Sequence, residues 1–142
     1  MLTSFFGSSK PVNVIIVISF MTIAFFMAHL GNFSTDLSWQ HFAQTIGLWL
    51  VYLTTMFVLN FIAQKNDLTK RNAYRIVIFA AFTAALPSAL MQPRILISGL
   101  IILLALRRII SLRSGLAIER KLFDASFWIA VASLFYFWAI AF

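Results

Sequence analysis

The sequence predicts an all-α fold, a polytopic bundle of about five transmembrane helices that forms a single domain over residues 1–142. Composition is the first reason, because 62% of the residues are hydrophobic and only 11% are charged. A soluble domain of 142 residues could not remove so much apolar surface from water. The distribution of charge is the second reason. Uncharged apolar segments recur along the chain, and several approach the length of about 20 residues that crosses a bilayer as a helix.

Five spans follow one another with short polar connections. Pro11 suits the first turn of the first helix, where its missing N–H leaves no hydrogen bond unmade. The fourth span has only 12 uncharged residues between Arg94 and Arg107. Either its helix continues through Arg107 and Arg108, whose side chains then reach the headgroups, or it is a short re-entrant segment. The predicted spans cover residues 11–30, 42–63, 74–90, 95–110 and 123–142.

The basic residues orient the predicted bundle. If the N-terminus is cytoplasmic and the C-terminus lies outside, ten of the eleven Lys and Arg residues fall on the cytoplasmic side and only Arg94 falls on the other. Cytoplasmic loops of membrane proteins carry this excess of Lys and Arg. Topology therefore explains the net charge of +7, and no nucleic-acid partner is predicted. The ten residues are Lys10, Lys65, Lys70, Arg71, Arg75, Arg107, Arg108, Arg113, Arg120 and Lys121.

Small side chains recur at four-residue spacing in the third span and, over a shorter stretch, in the fifth. This spacing lets membrane helices approach closely, so the third helix is expected at the centre of the bundle. Pro87 removes one backbone hydrogen bond near the outer end of that helix and is predicted to kink it. The predicted helix-packing residues are Ala80, Ala84 and Ser88 in one row, Ala81, Ala85 and Ala89 in the next, and Ser126 and Ala130 in the fifth span.

The segment 107–121 mixes basic residues with leucine and isoleucine, which is typical of a segment that lies along anionic headgroups. Gly115 is expected to divide it into two pieces. Membrane lipids are therefore predicted partners. For this segment, solvated basic residues that serve only the topology are the favoured interpretation, and a specific site for a phosphate or a lipid headgroup is the alternative. The candidate contacts for an anionic lipid or an anionic substrate are Arg94, Arg107, Arg108 and Arg113.

Residue types that carry catalysis are scarce in this chain. It has no cysteine and only four acidic residues, none of them deep in a span, and it lacks a glycine-rich phosphate loop. His29 and His41 fall at the outer ends of consecutive spans. Polar helix ends are the favoured interpretation, and a pair that binds haem or a metal is the alternative. The sequence thus predicts no catalytic residue, no metal site and no cofactor.

Three stretches, MLTSFFGSSKPVN, QKNDLTKRNAY and LLALRRIISL…IERKLFDASFWIAVASLFYFWAI, carry a family resemblance. Together they resemble the N-terminal half of an uncharacterised family of integral membrane proteins from Flavobacteria and other Bacteroidetes. The resemblance covers nearly the whole chain. It implies a location in the inner membrane of a Gram-negative bacterium, and members of that family are usually longer, with further spans. It transfers no activity and no site residue.

Two functions are compatible with these features. A non-enzymatic membrane subunit or scaffold, which associates with other subunits or with itself through small-residue helix faces, is the favoured hypothesis. The alternative is part of a transporter, or of a protein that handles lipid-linked glycans, with Pro87, Arg94 and the arginines of segment 107–121 around an anionic substrate. The first is favoured because reactive residues are scarce.

Overall fold

The computed structural model describes residues 11–35, 38–68 and 72–142, and side chains are not described for residues 31–35. These residues form helices joined by short connections, with no strand among them, which confirms the predicted all-α class. The helices fall into an N-terminal unit, Met1–Gln92, and a C-terminal unit, Pro93–Phe142. The basic residues of the predicted orientation that lie outside the described residues are Lys10, Lys70 and Arg71.

The N-terminal unit contains two long helices and two short ones. Ser38 caps the second helix, since its Oγ accepts a hydrogen bond of 3.3 Å from the N–H of His41. At the other end of that helix, the side-chain nitrogen of Asn66 donates to the carbonyl oxygen of Ile62 at 2.8 Å. The helices of this unit are α1 (Pro11–Thr35), α2 (Trp39–Lys65), α3 (Tyr74–Ala84) and α4 (Pro87–Leu90).

The third predicted span differs from the expected single kinked helix. α3 ends at Ala84, and α4 begins at Pro87. Leu86, between them, has φ −120° and ψ 65°, which lies outside the helical region. A proline ring disfavours the helical conformation of the residue before it, and proline itself is favourable in the first turn of a new helix. The chain therefore has a break where the sequence predicts a kink.

The C-terminal unit contains two helices, each followed by a short 3₁₀ turn. The first has 19 residues and passes through Arg107 and Arg108 without interruption. At 1.5 Å per residue its length is about 28 Å, close to the thickness of the hydrocarbon core. The structure thus matches the continuous helix for the fourth span and not the short segment. The helices are α5 (Pro93–Ser111) and α6 (Ile118–Phe135), and the 3₁₀ turns are Leu112–Ser114 and Phe137–Ala141.

The fifth predicted span also has different boundaries. Helix α6 starts at Ile118 rather than at residue 123. Glu119 lies in its first turn, where a negative charge interacts favourably with the positive end of the helix dipole. It ends at Phe135, because Tyr136 is extended at φ −144° and ψ 108°. The last residues form a 3₁₀ turn instead of continuing the α-helix to Phe142.

Three helices among the described residues are long and apolar enough to cross a membrane, Pro11–Leu30, Trp39–Lys65 and Pro93–Ser114. They make the chain compatible with a membrane protein. α3 is shorter than a crossing, and α6 carries four charged residues within its first seven.

Candidate functional site

Helices α1, α2 and α3 meet around a set of stacked aromatic rings. Phe25 of α1 is fully buried and stacks on His29, with 4.3 Å between the ring centroids. It also stacks on Tyr52 of α2 at 6.0 Å, and Tyr52 lies 6.2 Å from the ring of Phe79 in α3. Large rings thus join the three longer helices of the N-terminal unit.

The two histidines have different surroundings. His29 is buried, and its Nδ1 donates a hydrogen bond of 3.0 Å to the carbonyl oxygen of Phe25. His41 is half-buried in the first turn of α2. Within the described part of the chain, no group of three or more His, Cys, Asp or Glu side chains is arranged to hold a metal ion. His29 thus belongs to the aromatic set through its ring contact with Phe25.

Hydroxyl groups connect the same helices. The indole N–H of Trp49 in α2 donates to the Oγ1 of Thr22 in α1 at 3.2 Å, and that hydroxyl donates to the carbonyl oxygen of Ile18 at 2.8 Å. The hydroxyls of Tyr52 and Thr83 form a bond between α2 and α3 at 2.5 Å. In hydrocarbon such side-chain bonds hold helices together by about 0.6–2 kcal/mol each.

Thr83 also lies one residue before the end of α3. Its hydroxyl donates to the carbonyl oxygens of Phe79 and Ala80, at 2.9 and 3.1 Å. A hydroxyl has a single proton, so the proton shared with Tyr52 must come from the tyrosine. Thr83 therefore adds side-chain bonds to the last part of α3, close to the break at Leu86, and receives a bond from α2 there.

Polar side chains concentrate at one end of the α2–α3 pair. The Nε of Arg75 donates to the Oδ1 of Asn60 at 2.9 Å, and the same oxygen accepts from Gln64 at 3.4 Å. The Nζ of Lys65 lies 5.7 Å from the centre of the Phe61 ring. This end is suited to headgroups and water, in contrast to the aromatic set nearer the middle of α2.

The small residues predicted for the third span are distributed unevenly. Ala80 is buried and lines an apolar cavity of about 240 Å³ between α3 and α1, together with Ala81 and, across it, Val17 and Phe20. The remaining small residues of the two rows are half-buried or exposed, so only part of the predicted surface packs within the unit. The half-buried residues are Ala84 and Ala89, and the exposed ones are Ala81, Ala85 and Ser88.

Helices α5 and α6 form an antiparallel pair that packs through small residues at seven-residue spacing. Ser98 and Ala105 are the buried residues of α5, and Ala125 and Ala132 are those of α6. The Ser98 hydroxyl donates to the carbonyl oxygen of Ala132 at 3.2 Å, so a side chain of one helix reaches the backbone of the other. Such a close approach requires small residues at the contact.

The residues predicted for packing in the fifth span, Ser126 and Ala130, are exposed. They take no part in the contact with α5, which instead uses Ala125 and Ala132. The prediction from the sequence missed this row because it was based on small residues at four-residue spacing. The seven-residue repeat typical of two helices that wrap around each other identifies it.

Hydrogen bonds fix the connection between α5 and α6. The Nζ of Lys121 donates to the carbonyl oxygen of Ser111 at 2.8 Å and to the Oγ of Ser114 at 2.6 Å. Gly115, at φ 67°, supplies the left-handed residue that ends the 3₁₀ turn, and it divides the basic segment as predicted. Ala117 is also left-handed, at φ 50°, immediately before α6.

The four predicted anion contacts do not form one cluster. Arg94 is exposed in the first turn of α5, whereas Arg107 is 13 residues further along the same helix, about 20 Å away. Arg108 pairs with Asp124 of α6 at 3.1 Å, and the side chains of this pair are 48% and 39% exposed. Arg113 is exposed in the 3₁₀ turn that follows α5. The structure brings three of the four arginines to one end of the hairpin and leaves Arg94 at the other.

Compared with known proteins, the chain matches no protein-family model, no curated sequence and no solved structure at a significant level.

Proposed function

We propose that the chain is a multi-pass integral protein of the bacterial inner membrane, with five crossings, and that it acts as a non-enzymatic membrane subunit. The pairing between helices supports crossings beyond the three long helices. α2 and α3 are antiparallel, because Asn60 bonds Arg75 near one end while Tyr52 bonds Thr83 about two turns away. α3 and the break that follows it therefore lie beside the middle of α2, at the same depth in a bilayer.

α5 and α6 are antiparallel as well. Arg108 pairs with Asp124 at one end of the hairpin, and Ser98 bonds Ala132 about three turns further along. If α5 crosses the bilayer, α6 crosses it in the opposite direction beside α5. The charged residues of α6 then lie at the headgroups, since they are confined to its first turns.

The distribution of basic residues supports an N-terminus in the cytoplasm and a C-terminus outside. Lys65 and Arg75 share one end of the α2–α3 pair, and five basic residues lie between positions 107 and 121. Reporter fusions test this topology directly. An enzyme that is active only outside the cytoplasm should be inactive when fused near Asn66 or Gly115 and active near Thr35 or Gln92. The reverse pattern, or activity consistent with three crossings, would contradict it.

The proposed role as a subunit or scaffold rests on small side chains that the chain leaves exposed. Ser126 and Ala130 lie one turn apart on α6, and Ala81 and Ala85 do so on α3. Small residues at this spacing let a further membrane helix approach closely. Only 22%, 33% and 11% of the most apolar windows of the three long helices are buried within the chain. Membrane lipids, other membrane subunits or a second copy of the chain would cover the rest.

Adding bulk to an exposed small residue tests this role. Ala130→Leu should reduce the mass of the assembly that a mild detergent extracts from native membranes, because the added side chain keeps a partner helix away. Ala43→Leu adds the same bulk at an exposed alanine of α2 and should leave that mass unchanged. If the unaltered protein is extracted as a monomer of 16.1 kDa, the proposed subunit role is wrong.

One observation favours the second candidate, a component of a transporter or of a protein that handles lipid-linked glycans. Membrane transporters often place substrates at discontinuous helices, and the chain breaks at Leu86 within an apolar segment. Arg94 follows shortly after this break. In that case Arg94→Gln should abolish a transport phenotype at unchanged protein level. A fall in protein level instead would indicate that Arg94 serves the orientation of the chain in the membrane and not the substrate.

A further inference from the structure

The basic residues at the end of the α5–α6 hairpin differ in whether their charged groups have a partner within the chain. Arg108 is paired with Asp124, and Lys121 is held by the carbonyl oxygen of Ser111 and the hydroxyl of Ser114. Arg113 and Arg120 are both exposed, and they use none of the hydrogen bonds or ion pairs found among the described residues. Of the five basic residues at this end, Arg108 and Lys121 are held by these contacts, and Arg113 and Arg120 are available to a ligand.

Exposed apolar side chains surround the two available arginines. Leu116 in the connection is 73% exposed, as is Phe123 on α6. Arg120, Phe123 and Phe127 follow the three- and seven-residue spacing that places side chains on one side of a helix. The guanidinium of Arg120 stands at the end of this apolar row. At the boundary between headgroups and acyl chains, the methylene groups of an arginine contact apolar surface while its guanidinium reaches the water and the headgroups. Free phosphate would gain nothing from these apolar neighbours.

We propose that this end of the hairpin binds the headgroups of anionic phospholipids, with Arg113 and Arg120 contacting the lipid phosphate and Leu116 and Phe123 inserted among the acyl chains. The inference rests on the proposed insertion of α5 and α6 in the membrane and names the lipid class that surrounds them. Residues 107–124 contain five basic and two acidic side chains, so the segment complements a negative surface. The hydrogen bonds of the connection hold Arg113 close to the end of α5.

The absence of cysteine from the chain makes a local measurement possible. A small apolar fluorophore attached to Leu116→Cys would report the lipids next to the connection in the full-length protein. Two sets of phosphatidylcholine vesicles would be compared, one with a minor fraction of brominated phosphatidylglycerol and one with the same fraction of brominated phosphatidylcholine. Bromine quenches the fluorophore on contact, so quenching reports which lipid lies next to it. The ratio of the two quenching constants measures the local preference for the anionic lipid.

We expect quenching to favour phosphatidylglycerol by about fivefold for each available arginine, and this preference should fall at high salt. Arg113→Gln with Arg120→Gln should bring the ratio close to one. Lys65→Gln with Arg94→Gln removes the same charge elsewhere and should leave the ratio unchanged. Inorganic phosphate should not reduce the preference.

The results that would contradict the proposal can be told apart. Equal quenching by both lipids in the otherwise unaltered protein would overturn the lipid preference while leaving membrane insertion intact. Loss of the preference in both double variants would assign it to net charge and overturn the role of Arg113 and Arg120. Competition by inorganic phosphate would overturn the assignment to lipid. If neither lipid quenched the fluorophore, the proposed insertion of the hairpin would fail together with the inference.

Discussion

The two units of the molecule hold their helices together by different means. In the N-terminal unit, α1, α2 and α3 are joined by the rings of Phe25, Tyr52 and Phe79 and by hydroxyl bonds between side chains. In the C-terminal unit, α5 and α6 pack through Ser98 and Ala132, where a side chain bonds the backbone directly. Large rings fill the space between separated helices, whereas small residues bring helices together.

This difference predicts opposite responses to a change of side-chain volume. Loss of volume should harm the N-terminal unit most, because a missing ring leaves a cavity that neighbouring helices cannot close. Gain of volume should harm the C-terminal unit most, because the helix backbones are already close. Substitutions that change side-chain volume in each direction therefore test whether the two units differ in this way.

The largest expected effect is that of Phe25→Ala. This ring is fully buried and contacts both His29 and Tyr52, so its removal should lower the free energy of unfolding by about 3–5 kcal/mol. Hydrogen exchange measured along the chain would locate the loss, which should be greatest in α1, α2 and α3. Phe82→Ala, at a ring of α3 that is 73% exposed, is the matched control and should cost much less. Equal losses would contradict the proposed importance of the stacked rings.

An intermediate effect is expected for Ala132→Leu. The added side chain would enter the contact where the hydroxyl of Ser98 reaches the backbone, and overpacking of this kind costs about 1–3 kcal/mol. Ser126→Leu makes a similar addition on the exposed side of α6 and should leave the hairpin as stable as before. Denaturant titration in detergent would separate the two variants. A destabilised Ser126→Leu and a tolerated Ala132→Leu would reverse the assignment of the packing face.

The sequence predicted the general architecture because length, hydropathy and charge are sufficient to locate apolar helices. It left two interpretations of α5 open, since the arginines at positions 107 and 108 interrupt the apolar segment but not the helix. Proline at position 87 indicated a disturbance of the third span. Whether a proline kinks or breaks a helix depends on the conformation of the residue before it, here Leu86.

The candidate site was predicted in part. Arg107, Arg108 and Arg113 lie at one end of the hairpin, as their positions in the sequence suggest. The pairing of Arg108 with Asp124 and the use of Lys121 to hold the connection could not be predicted. Both depend on the register between α5 and α6, which is set by packing of side chains distant in sequence.

The smallest expected effect concerns the bond between Tyr52 and Thr83. Tyr52→Phe removes the donor but keeps the ring, so the free energy of unfolding should fall by about 0.6 kcal/mol, the average for side-chain bonds between membrane helices. Thr83→Val should have a related effect, and the double variant should cost less than the sum of the two because both substitutions remove the same bond. Thr54→Val is the matched control, since that hydroxyl is exposed and bonds only within α2.

Additive losses from Tyr52→Phe and Thr83→Val would show that the hydroxyl bond does not couple α2 to α3. The stacked rings alone would then account for the cohesion of the N-terminal unit. A Thr83→Val loss much larger than the loss in Tyr52→Phe, and largely retained in the Tyr52→Phe background, would mean that the hydroxyl of Thr83 mainly stabilises the broken end of α3, because its own bonds to the carbonyls of Phe79 and Ala80 are lost as well. The cycle therefore distinguishes a bond between helices from a bond that stabilises a helix end.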